Sequence, residues 1–258
     1  MTALTYDRYC DEILAQTDEL RALLKGADLA ARVPTCPDWS LRELATHVGG
    51  AHRWVGEIVG SRATEDIPEE RIPGFAGPDG ESPAALDAWL AEGVDTAVAA
   101  LREAGSGAEV WTWAWELRTD FWARRMTHET VVHRADAALA AGTVFEVAPE
   151  VAADTIDEWL RIVAFSQAGG DPEAAELRGG GRSLHLHATD VPDAEWLIEF
   201  GEDGFTWRRA HERATVALRG PLTDLMLVFN RRLAPGSDRV EVLGDAELLD
   251  FWLERSSF

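Results

Sequence analysis

Glu129 and His133 are the residues whose types and spacing point most directly to chemistry. They lie four positions apart in a stretch, residues 121–136, that contains neither glycine nor proline. A helix therefore places both side chains on one face, where a carboxylate and an imidazole can share a cation. His47, in a second predicted helix, is the best candidate for a third ligand. A site of His47, Glu129 and His133 leaves coordination positions open, which is typical of metal sites that do chemistry.

These residues have two other interpretations. His128 and Glu129 followed by His133 resemble the zinc-protease signature H-E-x-x-H, but the two histidines are five positions apart. They lie about 140° apart around a helix and do not share a face. A glutamate and a histidine four positions apart also form weak surface pairs on many helices. The metal site is favoured because apolar residues flank this face and a second histidine-bearing helix lies upstream.

The helix that carries His47 is marked at its start. Ser40 and Glu43 form a capping box, which begins a helix expected to reach residue 59. His47 is then about two turns inside it. Gly49 and Gly50 follow, and their missing side chains allow a neighbouring helix or a ligand to come close.

Two further polar residues lie near the predicted site. Asp136 is one turn after His133 and can orient that imidazole through its other nitrogen; a solvated surface position is the alternative. His52 is expected to point to a different side of its helix, as a surface residue or as a support for a ligand.

Helical periodicity and end signals predict an antiparallel four-helix bundle with one shorter companion helix over residues 1–168. The predicted helices share a 3-to-4 spacing of apolar residues and cover residues 6–25, 40–59, 82–104, 121–141 and 150–165. Between them, residues 33–39 and 61–81 are predicted loops.

Three tryptophans alternate along residues 110–116, which predicts an extended segment with its rings on one face. Core packing is the ordinary role of such a stripe. Because the segment directly precedes the Glu129 helix, the alternative is a wall of a ligand pocket, with Trp111 and Trp113 as candidate cofactor-binding residues.

A glycine-rich acidic linker, residues 169–182, is predicted to separate the bundle from a small α+β domain over residues 183–258. The apolar pattern changes there from helical to alternating. The predicted strands are residues 184–188, 196–200, 205–208, 214–218 and 240–242, with helices at 221–231 and 245–255. His185 and His187 share a face of the first strand, a spacing that metal ligands use, but strand histidines with no further partner are ordinarily structural.

Composition limits the possible functions. The chain has 258 residues, with 46 acidic and 24 basic ones, for a net charge of −22. This charge repels nucleic acid and anionic membrane surfaces. No run of about 18 apolar residues and no signal-peptide pattern is present, so a cytoplasmic protein is expected. Cys10 and Cys36 form no C-x-x-C pair, and a nucleophilic sulfur would have to come from outside the chain.

Five stretches of the chain together resemble the mycothiol-dependent maleylpyruvate isomerase family. These bacterial enzymes have a DinB-like metal-binding helical bundle and a smaller C-terminal α/β domain. The matching stretches are T-C-P-D-W-S-L-R-E-L-A-T-H-V-G-G-A-H-R-W, R-R-M-T-H-E-T-V-V-H-R-A-D-A, L-H-L-H-A-T-D, R-G-P-L-T-D-L and V-L-G-D-A-E-L-L. The resemblance predicts an α+β protein in which zinc or another divalent metal is bound by His47, Glu129 and His133.

The resemblance also implies a chemistry. Mycothiol would supply its sulfur to the metal, and the thiolate would add to a small, electrophilic, anionic substrate, as in cis–trans isomerisation of maleylpyruvate or in thiol S-transfer. An arginine of the C-terminal domain would bind the substrate carboxylate, and Arg231 or Arg232 in V-F-N-R-R-L is the nearest match.

Two other functions remain as alternatives. One is a non-catalytic module that binds a small ligand against the tryptophans. The other is a metal-dependent hydrolase in which bound water takes the place of the thiol. In each case the expected partners are small molecules, and the expected assembly is a monomer or a homodimer.

Overall fold

The computed structural model describes residues 4–80 and 82–256. Contacts between residues divide this part of the chain into two compact units. The first is Leu4–Phe145, called here the bundle unit, and the second is residues 146–256, called the sheet unit. This arrangement confirms the predicted fold class, a helical N-terminal part followed by an α/β part.

Four long helices build the bundle unit, as predicted. They are α1 (Tyr6–Leu24), α2 (Leu41–Gly60), α3 (Pro83–Ala104) and α4 (Thr119–Ala141). Their ends follow the sequence signals: the Ser40–Glu43 capping box is present at the start of α2, and α3 begins at a proline after the Ser82 cap. At the end of α4, Gly142 takes the left-handed conformation that glycine favours, with φ of 66°.

Close packing between α2 and α3 depends on Gly49. A Cβ atom at this position would lie 2.1 Å from Cζ3 of the Trp89 ring. Trp89 is buried and donates its indole N–H to the Gly74 carbonyl at 2.9 Å, so the ring is held in place. Of the two roles predicted for Gly49, the approach of a neighbouring helix is the one observed.

The predicted loop at residues 33–39 contains a short hairpin. Its strands are β1 (Arg32–Val33) and β2 (Cys36–Ser40), which pair antiparallel. β2 leads directly into α2, so the hairpin lies beside the start of the helix that carries His47.

The prediction of an extended segment at residues 110–116 is wrong. Glu109 pairs with Arg118, so the chain between them turns back on itself as an irregular loop. A strand needs a partner along its length, and alternation alone does not supply one. The three tryptophans instead gather around two aromatic residues at the start of α4: Trp111 on Trp122, with ring centroids 6.2 Å apart, and Trp113 and Trp115 on Phe121, at 4.9 and 5.5 Å.

The sheet unit contains one helix that the sequence assigned to the bundle, α5 (Pro149–Ala168). It packs against α6 (Leu222–Phe229), and its Asp157 accepts a hydrogen bond from the Trp196 indole at 2.6 Å. The division between the units therefore falls between residues 145 and 146, and not at the predicted linker 169–182. Periodicity identifies α5 as a helix but does not show which core it joins.

A five-stranded mixed sheet forms the rest of the sheet unit, in the order β5-β4-β3-β6-β7. Only the β3–β6 pair is parallel among these neighbours. The elements are β3 (Arg182–Ala188), β4 (Glu195–Phe200), β5 (Phe205–Arg208), β6 (Val216–Gly220), β7 (Glu241–Gly244) and the final helix α7 (Ala246–Arg255). The predicted strands and helices are thus all present with small shifts at their ends.

The two faces of this sheet differ in chemistry. Leu186 lies opposite Trp196 in the register, and Trp196 is the residue bonded to α5, so this face is covered by helix. His185 and His187 alternate with Leu186 and therefore point to the other face.

Among the described residues, no helix combines the length and the apolar character needed to cross a membrane.

Candidate metal centre

The structure brings the three predicted ligands together. His47 comes from α2, and Glu129 and His133 come from α4. Glu129 Oε1 lies 2.8 Å from His47 Nε2 and 3.1 Å from His133 Nε2. Both imidazoles thus contact the same carboxylate oxygen, and the two rings meet edge to face with centroids 4.9 Å apart.

This donor set fits a divalent cation. All three ligand atoms lie within 4.8 Å of one another. Donors about 2.1 Å from a tetrahedral zinc are about 3.4 Å apart. The 2.8 and 3.1 Å separations of Glu129 Oε1 from the two imidazole nitrogens would each have to open by well under 1 Å to reach that distance. Two imidazoles and one carboxylate are a set that zinc and similar metals accept, with at least one position left open for another ligand.

Asp136 holds His133 from behind. Its Oδ2 atom lies 2.9 Å from His133 Nδ1, and its side chain is fully buried. Asp136 therefore contacts the other nitrogen of His133, as the orienting interpretation predicts, and the solvated alternative is wrong. The β1–β2 hairpin fixes Asp136 in turn: the Thr35 hydroxyl donates to Oδ1, and Cys36 Sγ lies 3.8 Å from Oδ2. Nδ1 of His133 is thereby engaged by a carboxylate, which directs Nε2 towards Glu129.

The charge state of Glu129 suits a ligand. Burial alone would raise the pKa of this carboxyl, but His133, His47 and Arg125 outweigh that effect and hold the pKa well below its usual range. Arg125 contributes by donating to Oε2 at 3.2 Å. The carboxylate is therefore ionised at neutral pH and keeps one oxygen, Oε1, directed at the two imidazoles.

Trp39 forms a wall of the centre that the sequence did not predict. Its ring lies 4.8 Å from the His47 ring and 5.9 Å from the His133 ring, measured between centroids. The His47 side chain is 38% exposed and that of His133 is 11% exposed, so the centre is reached from the His47 side. The sequence signal for this wall is the T-C-P-D-W run immediately before the capping box. Because this run leads directly into α2, its residues must pack near His47.

The remaining histidines of the bundle unit lie outside this centre. His52 is fully buried, not at the surface, and its Nε2 atom lies 2.9 Å from the Thr130 hydroxyl. Burial lowers the pKa of His52 to about 4. His128 is also fully buried and meets the Tyr9 ring edge to face at 6.1 Å. The resemblance to a zinc-protease signature thus has no counterpart in the geometry.

The other predicted site residues have these positions. Trp111 and Trp113 belong to the aromatic cluster around Phe121 and Trp122, and Trp113 is 37% exposed. In the sheet unit, Arg231 lies just past α6, exposed and with φ of 64°. Arg232 is half-buried and donates to the Asn230 carbonyl at 2.8 Å. A role for these four residues in binding thiol or substrate stays a prediction.

Each of the two units matches a known domain family. Residues 10–138 match the mycothiol maleylpyruvate isomerase N-terminal domain, and residues 150–251 match the MDMPI C-terminal domain. The chain belongs to this family. The two matched segments lie on either side of the division between the bundle unit and the sheet unit.

Solved structures show the same fold. The chain is similar to the crystal structure of the mycothiol-dependent maleylpyruvate isomerase, with a TM-score of 0.61 and 16% identity over 94% of this chain and 95% of that one. A crystal structure of a point mutant of that isomerase gives a TM-score of 0.61 at 17% identity, with the same coverage. No match was found among curated proteins.

Proposed function

We propose that this protein is a divalent-metal-dependent enzyme that activates a low-molecular-weight thiol, mycothiol, for addition to a small, electrophilic, anionic substrate. The observation that carries the proposal is the convergence of His47, Glu129 and His133 in a chain of the mycothiol maleylpyruvate isomerase family. Two of these residues have a charged partner of their own: Asp136 contacts His133, and Arg125 donates to Glu129. The family name implies that a thiol, mycothiol, is the cosubstrate.

The chain's own residues would hold the ion as follows. His47 and His133 offer Nε2 and Glu129 offers Oε1, while Asp136 keeps the proton of His133 on Nδ1. A divalent cation bound there lowers the pKa of a coordinated thiol, so that the nucleophilic thiolate exists at neutral pH. Zinc is the metal that this donor set favours. Trp39 packs beside both imidazoles and supplies an aromatic wall of the centre.

The proposed reaction follows from what a thiolate does to an activated cis double bond. Addition of sulfur turns the double bond into a single bond, rotation about that bond becomes possible, and elimination returns the trans product and the thiol. If elimination does not follow, the thiol stays attached, and the outcome is S-transfer. In this proposal Arg231 or Arg232 binds the substrate carboxylate, since guanidinium matches that group in bidentate geometry.

An activity screen tests the proposal. Tag-free, zinc-loaded protein is assayed with maleylpyruvate and with electrophilic diacid analogues, each with and without mycothiol. Turnover should require both the metal and the thiol, and His133→Ala should remove it. The matched control is Asp95→Asn, an exposed acid on α3, which should leave turnover unchanged.

Other outcomes separate the alternatives. Turnover of an amide or thioester without thiol would identify a hydrolase that uses bound water. A change of tryptophan fluorescence with apolar ligands, independent of metal and without turnover, would identify a binding module. Either result contradicts the thiol-dependent proposal.

A further inference from the structure

A second group of metal-ligating side chains lies on the face of the sheet opposite the one that contacts α5. His185 and His187 point to this face from β3, and Glu195 stands opposite His187 in the antiparallel register with β4. His211 reaches the same place from the segment between β5 and β6. These residues are separate from His47, Glu129 and His133, which all belong to the bundle unit.

The geometry of this group is more specific than that of an ordinary ion pair. Three imidazole nitrogens converge on one atom, Glu195 Oε2: His185 Nε2 at 2.8 Å, His187 Nδ1 at 2.9 Å and His211 Nδ1 at 2.7 Å. The three rings lie 5.4 to 5.8 Å apart between centroids. Each residue offers one ligand atom within 4.8 Å of all the others.

Hydrogen bonding alone does not account for this convergence. A carboxylate oxygen has about two lone-pair sites, so Oε2 cannot serve three imidazole donors well. A cation among the four atoms would satisfy all of them, and it would draw on three neutral imidazoles and one carboxylate. The three nitrogen–oxygen distances of 2.7 to 2.9 Å need only a small opening to reach the roughly 3.4 Å between donors around a tetrahedral zinc.

We propose that His185, His187, Glu195 and His211 form a second metal site, which binds a divalent transition metal such as zinc. It is independent of the proposed thiol chemistry, because its ligands all lie in the sheet unit. Strand register sets two of its members, and the backbone of β3 holds His185 in a nearly buried position. His211, whose side chain is 76% exposed, is the ligand that can move to admit the ion.

The site borders an open cavity of about 370 Å³. Its lining includes the three histidines together with Arg213 and Arg219. The metal would therefore be accessible to water or to a small anion, with guanidinium groups nearby to favour the anion. A closed structural site would instead have all its positions covered by protein.

Metal titration of the full-length, tag-free protein tests this site. His47→Ala/His133→Ala protein is stripped with a chelator and titrated with Zn²⁺ by calorimetry and with Co²⁺ by visible absorption. It should still bind one ion per chain, and Co²⁺ should give the intense bands of a tetrahedral complex. Because two ligands of the bundle centre are absent from this variant, failure of the thiol-enzyme proposal would not change the result.

Two further changes in that background locate the ion. His211→Ala and Glu195→Gln should each weaken binding by at least about tenfold, since even the outer partners of metal ligands change affinity by about 10–100-fold. His211 is exposed, so its truncation leaves the fold intact. Asp250→Asn, an exposed acid on α7 that does not line the cavity, is the matched control and should bind as before.

Two results would overturn the proposal. One is a folded double variant that takes up no Zn²⁺ or Co²⁺. The other is binding that survives both His211→Ala and Glu195→Gln unchanged.

Discussion

Asp136→Asn is the substitution that most sharply separates a positioned metal ligand from a chance pair of polar residues. The Asp136 carboxylate lies 2.9 Å from His133 Nδ1 and is completely buried. Asparagine has the same shape but no charge. It therefore keeps the packing of the β1–β2 hairpin while removing the anion that fixes the tautomer of His133 and raises the basicity of Nε2.

The expected loss follows from the role of such partners. Removing an outer carboxylate partner of a metal-bound imidazole costs about 10–100-fold in metal affinity, which is about 1.4–2.8 kcal/mol. The assay is competition of Zn²⁺ between the protein and a chromophoric chelator, at pH 7.5, in protein that carries His211→Ala and Glu195→Gln so that only the bundle centre is measured. Circular dichroism and thermal unfolding confirm that each variant is folded.

Asp95→Asn on the exposed side of α3 serves as the matched control and should leave affinity within twofold of the parent. If folded Asp136→Asn protein binds zinc as tightly as the control, the contact between Asp136 and His133 does not support a ligand, and the reasoning fails.

Two further predictions concern stability. Gly49→Ala should lower the free energy of unfolding by about 1–3 kcal/mol or more, because the new methyl group overlaps the fixed Trp89 ring; Gly60→Ala, whose nearest neighbour is 3.9 Å away, should cause no loss in urea denaturation. Burial depresses the pKa of His52 from 6.5 to about 4, so the neutral form contributes stability that is present above pH 6.5 and is lost as pH falls towards 4, by roughly 3 kcal/mol. His52→Gln should flatten the curve of unfolding free energy against pH between about pH 4 and 6.5. An unchanged slope would contradict the attribution of this pH dependence to His52.

Local signals predicted much of the fold because they act over a few residues. The Ser40–Glu43 capping box, the proline that begins α3 and the glycine after α4 each fix a helix end by hydrogen bonding or backbone conformation within one turn. The spacing of Glu129 and His133 likewise determines their shared face without any tertiary contact.

The structure differs from the sequence-based predictions where contacting residues are distant in sequence. The tryptophan alternation at residues 110–116 predicted a strand, but whether an extended segment finds a pairing partner depends on the rest of the chain. Helix α5 was identified, yet its assignment to the sheet unit follows from contacts such as that between Asp157 and Trp196, 39 positions apart.

The candidate sites show the same division. His47 is predicted as a ligand because the capping box and the apolar periodicity place it on a helix. Thr35 and Trp39 join the centre through a hairpin that apolar periodicity does not reveal. On the sheet, the alternation of a strand predicts that His185 and His187 share a face. Glu195 joins them only through the register of two strands, and His211 only through the path of an irregular segment.

The most direct test of the central claim is the zinc stoichiometry of the bundle centre. In protein carrying His211→Ala and Glu195→Gln, elemental analysis after zinc loading and desalting should find about one ion per chain, and adding His133→Ala should abolish it. Full zinc content in folded protein that lacks His133 would contradict the account, because the ion would then be held by residues other than His47, Glu129 and His133.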